Sequence, residues 1–382
     1  MLRVLIAWLR WRARHAQKSS FSPGMVRSVA IFELTRLGDF VTVLPALRKL
    51  RQQFPGALFH LVVDAKHAPL LSMCEPDMNV MGIASPWSVL GLLRALSTVR
   101  GLHPDLACSM SPSSRNAALA LASGSRFIAG YLAGTGTLTP FLGVTPAEMI
   151  GFPEQGPAMF GRENIQGRAW KVLQTLGIHE PGDAGDAFRK WAPSGDLRRK
   201  LGGTPGGEET PYIVIHPFSG WKYRSWPLES FRILAQMILG EFPHRIVFVC
   251  HVSEKEALEP LVTAFRGEAR VRFLPSADIL TTAALLRDAR LFIGNDSGPL
   301  HLAALLEVPL VGLFGPASPE LTAPLSARGR FLYNEVACSP CSQTVCIMPG
   351  NSCMMRITPE EVQSAAKEEL ESAYKHRGAV NE

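Results

Sequence analysis

Hydrophobic residues along the chain follow two patterns: short continuous apolar runs, and longer segments with an apolar residue every three or four positions. The runs SVAIFEL, ALFHLVVD, DLACSM and SRFIAGYL are typical of buried strands. Between them, FVTVLPALRKLRQQF, SVLGLLRALSTV and RNAALALAS have helical periodicity, for example at Val43, Leu47 and Leu50. This alternation predicts a parallel sheet with helices on both faces.

The alternation is interrupted once and then resumes. A long surface loop is predicted at AGTGTLTPFLGVTPAEMIGFPEQGPAMFG, and a helix is predicted after it at NIQGRAWKVLQTLGI. Further along, we predict strands at YIVIHP, HRIVFVC and RLFIGN, and helices at LESFRILAQMILGEF, SEKEALEPLVTAF and ADILTTAALLRDA. The last helix is predicted to have Thr358 as its N-cap and Pro359 as its first residue.

The fold class is therefore α/β, with two doubly wound Rossmann-like domains facing each other across a cleft. We predict the first domain at 25–190, a Gly- and Pro-rich linker at 191–210 and the second domain at 211–382. The second domain includes a cysteine-rich segment at 338–353 and the C-terminal helix. Ligands of such sheets bind at the carboxyl ends of the strands.

Residues 1–24 form a separate basic segment. MLRVLIAWLRWRARHAQK places most of its arginines on one helical stripe and its leucines on another, with tryptophans widening the apolar face. Such a helix can lie in the headgroup region of an anionic membrane. Alternatively, Met25 is the natural start, and the segment has no such role.

Composition narrows the class of partner. The chain has 382 residues, of which 47% are hydrophobic and 19% charged, as in globular proteins. A net charge of +6 favours an anionic partner. No nucleic-acid-binding signature is present, so we exclude nucleic acid, and no apolar run approaches the ~20 residues of a membrane span.

The stretch IGNDSGPLHLA places polar residues where an apolar strand meets a helix. Asn295 and Asp296 fall at the carboxyl end of the strand, and Ser297 is a candidate N-cap. Amide groups that begin a helix bind anions, and Gly298 lets a phosphate approach them closely. His301 can reach the same anion. Alternatively the corner is structural: Asp296 stabilises the helix dipole and His301 packs internally.

A second turn, HPFSGWKYRSWP, follows the strand that ends at His216. Ser219 and Gly220 form the turn, and Lys222 and Arg224 stand just before the next helix. Cations beside a phosphate-sized turn suit a leaving diphosphate, whose developing negative charge they neutralise. Solvated surface cations are the alternative.

A third corner, TRLGDFVTVL, lies where the first strand meets its helix. Gly38 and Asp39 are placed there. Asp39 either caps the helix or accepts a proton from an acceptor hydroxyl.

Four of the seven cysteine residues form a C-x2-C-x4-C-x6-C array: Cys338, Cys341, Cys346 and Cys353. Four thiolates at this spacing can hold a structural zinc or iron ion, or an iron–sulfur cluster. Two disulfides or reduced thiols are the alternatives. Because an odd number of cysteines argues against a fully paired secreted framework, we predict a cytoplasmic location.

Three stretches of the chain together resemble the ADP-heptose:lipopolysaccharide heptosyltransferase family. They are TRLGDFVTVLPALRKLRQQFP, IHPFSGWKYRSWPLESF and DARLFIGNDSGPLHLAALLEVPLVGLFGP. This is glycosyltransferase family 9, which has the GT-B fold. The resemblance implies inverting, metal-independent transfer from ADP-L-glycero-β-D-manno-heptose, or another nucleotide-sugar, to a hydroxyl of a lipopolysaccharide core precursor. The enzyme would be peripheral on the cytoplasmic face of the inner membrane, where its acceptor is a lipid-linked anionic glycan.

The resemblance also implies roles for single residues. Asp39 matches the general base, and Ser219 matches a residue that contacts phosphate. The donor-binding loop matches Asp296, Ser297, Gly298 and His301. Glu254 is similar to a glutamate that binds the ribose. Arg224 stands where the family often has lysine, so either it or Lys222 contacts the diphosphate. Arg36, Lys66 and Arg115 are candidates for the acceptor, although turns and helix caps explain them equally well.

Three rival functions stay open at this point. The first is a GT-B transferase that uses another nucleotide-sugar or a protein acceptor, and the second is a nucleotide-sugar 2-epimerase. The third is a sugar-nucleotide-binding protein without turnover.

Overall fold

A computed structural model describes residues 21–84, 89–111, 113–130, 165–179, 211–275, 278–324, 329–341, 346–348 and 352–378. Its contacts divide the chain into two compact units, Met1–Ala187 and Phe188–Glu382. The predicted membrane-surface segment up to residue 20, the long loop after the fifth strand and the 191–210 linker lie outside the described residues. Within those residues, no helix is both long and apolar enough to cross a membrane.

The first unit is built on one parallel sheet. Its strands are β1 (Ser28–Glu33), β2 (Leu58–Asp64), β3 (Asn79–Ile83), β4 (Leu106–Ser109) and β5 (Phe127–Gly130). Its helices are α1 (Leu37–Gln53), α2 (Ala68–Cys74), α3 (Val89–Arg100), α4 (Ser114–Ala122) and α5 (Ile165–Thr175). The spatial order is β3-β2-β1-β4-β5, so the chain reverses its direction of winding between β1 and β4.

The second unit repeats this architecture with one more strand. Its strands are β6 (Tyr212–His216), β7 (Arg245–Cys250), β8 (Val271–Pro275), β9 (Leu291–Asn295), β10 (Leu310–Phe314) and β11 (Gly329–Tyr333). Its helices are α6 (Leu228–Glu241), α7 (Glu259–Ala264), α8 (Ile279–Asp288), α9 (Gly298–Leu305), α10 (Pro319–Thr322) and α11 (Pro359–Gly378). The order β11-β10-β9-β6-β7-β8 reverses between β6 and β9.

The central strands are buried on both faces, as their continuous apolar runs predict. Val29, Ile31 and Phe32 of β1 are fully buried, and all five residues of β6 are buried. A strand covered by helices on both sides cannot alternate polar and apolar residues. The predicted α/β architecture with two Rossmann-like units is therefore confirmed.

The structure corrects one predicted helix. SEKEALEPLVTAF is two short 3-10 turns, Val252–Glu254 and Glu256–Leu258, followed by the six-residue helix α7. Pro260 lies in the first turn of α7, where its missing N–H costs nothing. In a single helix that began further upstream, Pro260 would be an interior residue and would break a backbone hydrogen bond. The predicted continuous helix was therefore wrong.

Candidate functional site

The reversal point of the second sheet brings the carboxyl ends of β6 and β9 side by side. In the parallel register of these strands, His216 pairs with Gly294, so Asn295 and Asp296 lie just beyond the paired residues. Parallel α/β sheets bind ligands in the crevice at such a reversal point. Two of the corners that the sequence analysis selected therefore meet at one edge of one sheet.

Asn295 joins the two corners and was not predicted to do so. Its fully buried side chain accepts a hydrogen bond from the Trp226 amide (2.9 Å) and donates one to the Pro217 carbonyl (2.9 Å). The Trp226 indole in turn donates to the Ile357 carbonyl at 2.9 Å. The turn that carries Arg224 is thus held at a fixed place beside β9.

Arg224 and Asp296 form a largely buried ion pair. The guanidinium Nη1 donates to Asp296 Oδ2 at 2.7 Å, and the carboxylate is only 5% exposed. The Ser219 hydroxyl donates to the Asp296 carbonyl at 3.3 Å, and Thr322 Oγ1 lies 3.5 Å from Oδ2. Asp296 therefore orients Arg224 at the reversal point. Thr322 had no recognisable sequence signal, because it reaches the site from a separate helix, α10.

Lys222 has different surroundings. Its Nζ lies 5.8 Å from the centre of the Tyr223 ring, and the residue is exposed. Of the two cations, Arg224 is the one that bonds to Asp296.

The start of α9 matches the predicted helix start but not the predicted cap. Ser297 occupies the N-cap position, yet its side chain makes no capping hydrogen bond. Its hydroxyl instead lies 3.4 Å from His216 Nδ1. Because the first amides of a helix have no partners within it, Gly298 begins a segment suited to an anion. His301 is buried nearby, with Nε2 3.9 Å from Asp296 Oδ1 and no hydrogen-bond partner for Nδ1 among the described residues.

Glu254 lies on the other side of β6. Its carboxylate is 3.8 Å from His216 Nε2 and also accepts the His251 amide hydrogen at 2.9 Å in a capping box. Burial lowers the pKa of His216 to about 4, so its imidazole is neutral at pH 7. Burial likewise raises the pKa of Glu254.

In the first unit, Asp39 lies in the first turn of α1. The helix begins at Leu37 with Arg36 as N-cap, so Asp39 is inside the helix and is not its cap. Asp39 is half-buried, and Arg36 is exposed. This corner lies at the carboxyl end of β1, as predicted from the sequence.

The other acceptor candidates have separate surroundings. Lys66 is 66% exposed, with Nζ 3.8 Å from Asp64 Oδ2. Arg115 Nη2 donates to the Leu34 carbonyl at 3.4 Å. Lys66 follows β2, whereas Arg115 contacts the connection between β1 and α1. Arg115 is therefore the candidate placed beside the Asp39 corner.

The four cysteine residues of the 338–353 segment are all free thiols. The segment is anchored to the end of β10, because Ser339 Oγ donates to the Gly315 carbonyl (3.0 Å) and the Cys341 amide to the Pro316 carbonyl (3.0 Å). Burial, opposed by a backbone hydrogen bond and reinforced by the other three thiols, raises the pKa of Cys353. Among the described residues, no three His, Cys, Asp or Glu side chains are arranged to hold a metal ion. As placed, the thiols do not fit a closed tetrahedral site, and the zinc or iron ion stays a prediction.

Two all-parallel sheets, each with a point where the direction of winding reverses, are the architecture of the GT-B fold. Over 91% of this chain, the fold superimposes on 99% of the Escherichia coli ADP-heptose LPS heptosyltransferase II structure, with a TM-score of 0.66 and 19% identity. Residues 174–351 match the profile of glycosyltransferase family 9 (heptosyltransferase). This match covers a little under half of the chain, and over these residues the chain is similar to that family.

Two curated relatives are similar in sequence. Lipopolysaccharide heptosyltransferase 1 of Pseudomonas aeruginosa is 24% identical over 83% of this chain and 87% of its own length. Lipooligosaccharide heptosyltransferase 2 of Campylobacter jejuni is 38% identical over 22% of this chain. The matched segment spans only 27% of that second relative.

Proposed function

We propose that this chain is an inverting heptosyltransferase. It moves heptose from ADP-L-glycero-β-D-manno-heptose to a hydroxyl group of a lipopolysaccharide core precursor. The observation that carries the proposal is the reversal point of the second sheet, where Arg224, Asp296 and the start of α9 meet. The family match over residues 174–351 and the similarity to proteins named for ADP-heptose and lipopolysaccharide support the sugar and the acceptor class.

The donor diphosphate is bound at the start of α9 in this proposal. Backbone amides at Ser297 and Gly298 face the phosphates, and Asp296 aims the Arg224 guanidinium at them. The remaining predicted donor contacts are Ser219, Lys222 and His301 for the diphosphate and Glu254 for the ribose. Arg224, Lys222 and the backbone amides at Ser297 and Gly298 stabilise the negative charge that develops on departing ADP, so the proposed chemistry needs no metal ion.

Asp39 is the proposed general base. The acceptor hydroxyl oxygen bonds to the anomeric carbon while the bond from that carbon to the β-phosphate oxygen breaks, and its electron pair leaves with ADP. The hydroxyl proton moves to the Asp39 carboxylate, and attack opposite the leaving group inverts the configuration. A carboxylate is a weak base, so holding the reactants in place supplies much of the acceleration.

The acceptor is a lipid-linked anionic glycan, which places the enzyme at the cytoplasmic face of the inner membrane as a peripheral protein. Arg36, Lys66 and Arg115 are the proposed contacts for its anionic groups. Of these, Arg115 also bonds to the Leu34 carbonyl, so replacing it is expected to disturb the Asp39 corner as well.

The donor half of the proposal is tested by thermal shift with ADP, UDP and GDP at equal concentrations. We expect selective stabilisation by ADP. Selective stabilisation by UDP or GDP would overturn the heptose donor and point to another nucleotide-sugar.

The catalytic half is tested with Asp39→Asn and ADP-heptose by following ADP release in the presence of acceptor. We expect turnover to fall far below one-tenth of wild type while ADP affinity is kept. A loss within about tenfold, ~1.4 kcal/mol, would show that Asp39 is not the base.

Transfer to protein but not to lipid-linked glycan would overturn the acceptor assignment.

A further inference from the structure

Glu33 is a buried carboxyl group that the proposed chemistry does not use. It is the last residue of β1, the strand that borders the reversal point of the first sheet, and its side chain is fully buried. Buried carboxylates normally have a cationic partner. Among the described residues, Glu33 takes part in no ion pair. Burying a carboxylate without a counterion is costly, so the burial of Glu33 needs a physical explanation.

Glu33 is part of a hydrogen-bonded cluster that holds the connection between β1 and α1. Its Oε1 accepts hydrogen bonds from Thr35 Oγ1 (3.0 Å) and Asn116 Nδ2 (3.4 Å). The fully buried Asn116 also accepts the Leu34 amide hydrogen through Oδ1 at 3.0 Å. One carboxyl oxygen and one amide side chain therefore hold two of the three residues in this connection.

The same connection leads directly to Asp39. The Arg115 guanidinium donates to the Leu34 carbonyl, and the Phe40 amide donates to the Arg36 carbonyl at 3.0 Å as α1 begins. The start of α1, and with it the backbone of Asp39, is set by where residues 34–36 are held.

The second carboxyl oxygen of Glu33 is suited to carry a proton. Oε2 has no hydrogen bond of standard geometry among the described residues, and the same is true of the nearby Ser111 hydroxyl. Burial raises the pKa of Glu33 to about 7, against the opposing effect of the Ser111 and Thr35 hydroxyls, and the negative charge of Asp39 raises it further. This pKa lies near neutral pH.

Charged and titratable groups reach the surroundings of Glu33 from the elements packed against it. Asp39 on α1 acts on it electrostatically, and Arg115 on α4 bonds to the adjoining backbone. On β2, its register partner is the uncharged Val63. On β4, burial raises the pKa of the Cys108 thiol, which stays neutral.

We propose that Glu33 is a positioning residue for Asp39: with Asn116 it holds the connection at residues 34–36, which leads into α1. The inference rests on the proposed function. When Glu33 loses its proton, the proton affinity of Asp39 rises, and kcat rises with it.

The test compares Glu33→Gln and Glu33→Ala in the full chain by measuring kcat and donor KM from pH 5.5 to 8.5. Glutamine keeps the hydrogen bonds of the neutral acid but cannot ionise. We expect wild-type kcat to rise through pH 7, Glu33→Gln to keep the low-pH kcat without that rise, and Glu33→Ala to lose at least tenfold in kcat at every pH. Donor KM should change little in either variant.

Glu75→Gln is the matched control. Glu75 is also a buried glutamate of the first unit with a pKa raised by burial, but its carboxylate pairs with Arg48 near the far end of α1. We expect this variant to lower the melting temperature without altering the pH dependence of kcat. A Glu33→Gln profile identical to wild type, or a Glu33→Ala enzyme with wild-type kcat, would overturn the inference.

The two proposals can fail separately. If Asp39→Asn stays active, the base assignment itself is wrong, whatever the Glu33 variants do. If Asp39→Asn is inactive while both Glu33 variants follow the wild-type profile, only the positioning role is wrong.

Discussion

Arg224 and Lys222 lie two positions apart in the sequence, yet the fold places their side chains in different surroundings. Arg224 is held by Asp296 at 2.7 Å, whereas Lys222 lies over the Tyr223 ring in solvent. The sequence left open which of them meets the diphosphate. Only the placement of Asp296, 72 residues away along the chain, distinguishes the two cations.

We therefore predict unequal effects of removing the two charges. Arg224→Gln should weaken ADP binding by at least about tenfold, or ~1.4 kcal/mol, because it removes a pre-oriented cation and leaves the buried Asp296 carboxylate without its partner. Lys222→Gln should weaken binding by less. Isothermal titration with ADP measures both. The assignment fails if the lysine variant loses more affinity than the arginine variant.

Single positions also show what sequence reasoning can find. Asp39, Ser219 and Asp296 were selected because each follows an apolar strand at a turn. His301 was selected because it lies one helical turn beyond Asp296 and can reach the same anion. Thr322 reaches Asp296 from a separate helix, and no local pattern announces that contact.

At the scale of elements, the C-terminal helix α11 shows how local signals set a boundary. Thr358 accepts the Glu361 amide hydrogen at 3.2 Å, and Glu361 accepts the Thr358 amide hydrogen at 2.8 Å. This reciprocal pair is a capping box, and it confirms the predicted N-cap. The helix packs on the core of the second unit through Val362 and Ala366, both fully buried.

Thr358→Ala should destabilise this unit by about 1 kcal/mol, because the Glu361 amide loses the Thr358 hydroxyl that caps it. ADP affinity should be unchanged, since neither Thr358 nor Glu361 is among the proposed donor contacts. Chemical denaturation gives the stability, and Thr358→Ser serves as the control that keeps the cap. Equal stability of the alanine and serine variants would contradict the capping role.

The prediction of a helix at residues 253–265 was wrong, and it shows the limit of apolar periodicity as a signal for helices. Its apolar spacing is helical, yet Pro260 restricts the regular helix to the residues that follow Leu258. Strands β3, β8 and β11, which were not predicted, are only partly buried, and their apolar signal is correspondingly weak. Strand β10 was not predicted either, although all five of its residues are buried.

At the scale of the whole molecule, the N-terminal segment is predicted to hold the enzyme at an anionic membrane surface. A chain that starts at Met25 should float less with liposomes containing anionic lipid than the full chain does, because it lacks the basic amphipathic segment. Liposomes of neutral lipid are the control for charge dependence. Undiminished flotation of the shortened chain would remove the segment from membrane binding.

The cysteine-rich segment carries the remaining prediction for the molecule. If it binds a structural ion, purified protein should contain about one equivalent of zinc or iron, and Cys353→Ser should reduce that content and lower the melting temperature. Elemental analysis of the wild type and of the Cys250→Ser control, a buried thiol outside the segment, makes the comparison. Absence of stoichiometric metal in the wild type would end the idea.

The sequence by itself determined the strands and helices with strong apolar patterns, the α/β class and the polar corners after β1, β6 and β9. It could do so because burial and helix capping act over a few residues. Only the tertiary structure decided that Asn295 links two of those corners, that Asp296 selects Arg224, and that Asn116 joins Glu33 to the connection before α1. These contacts join residues about 70 to 80 positions apart, and the parallel register of the strands, not any local pattern, brings them together.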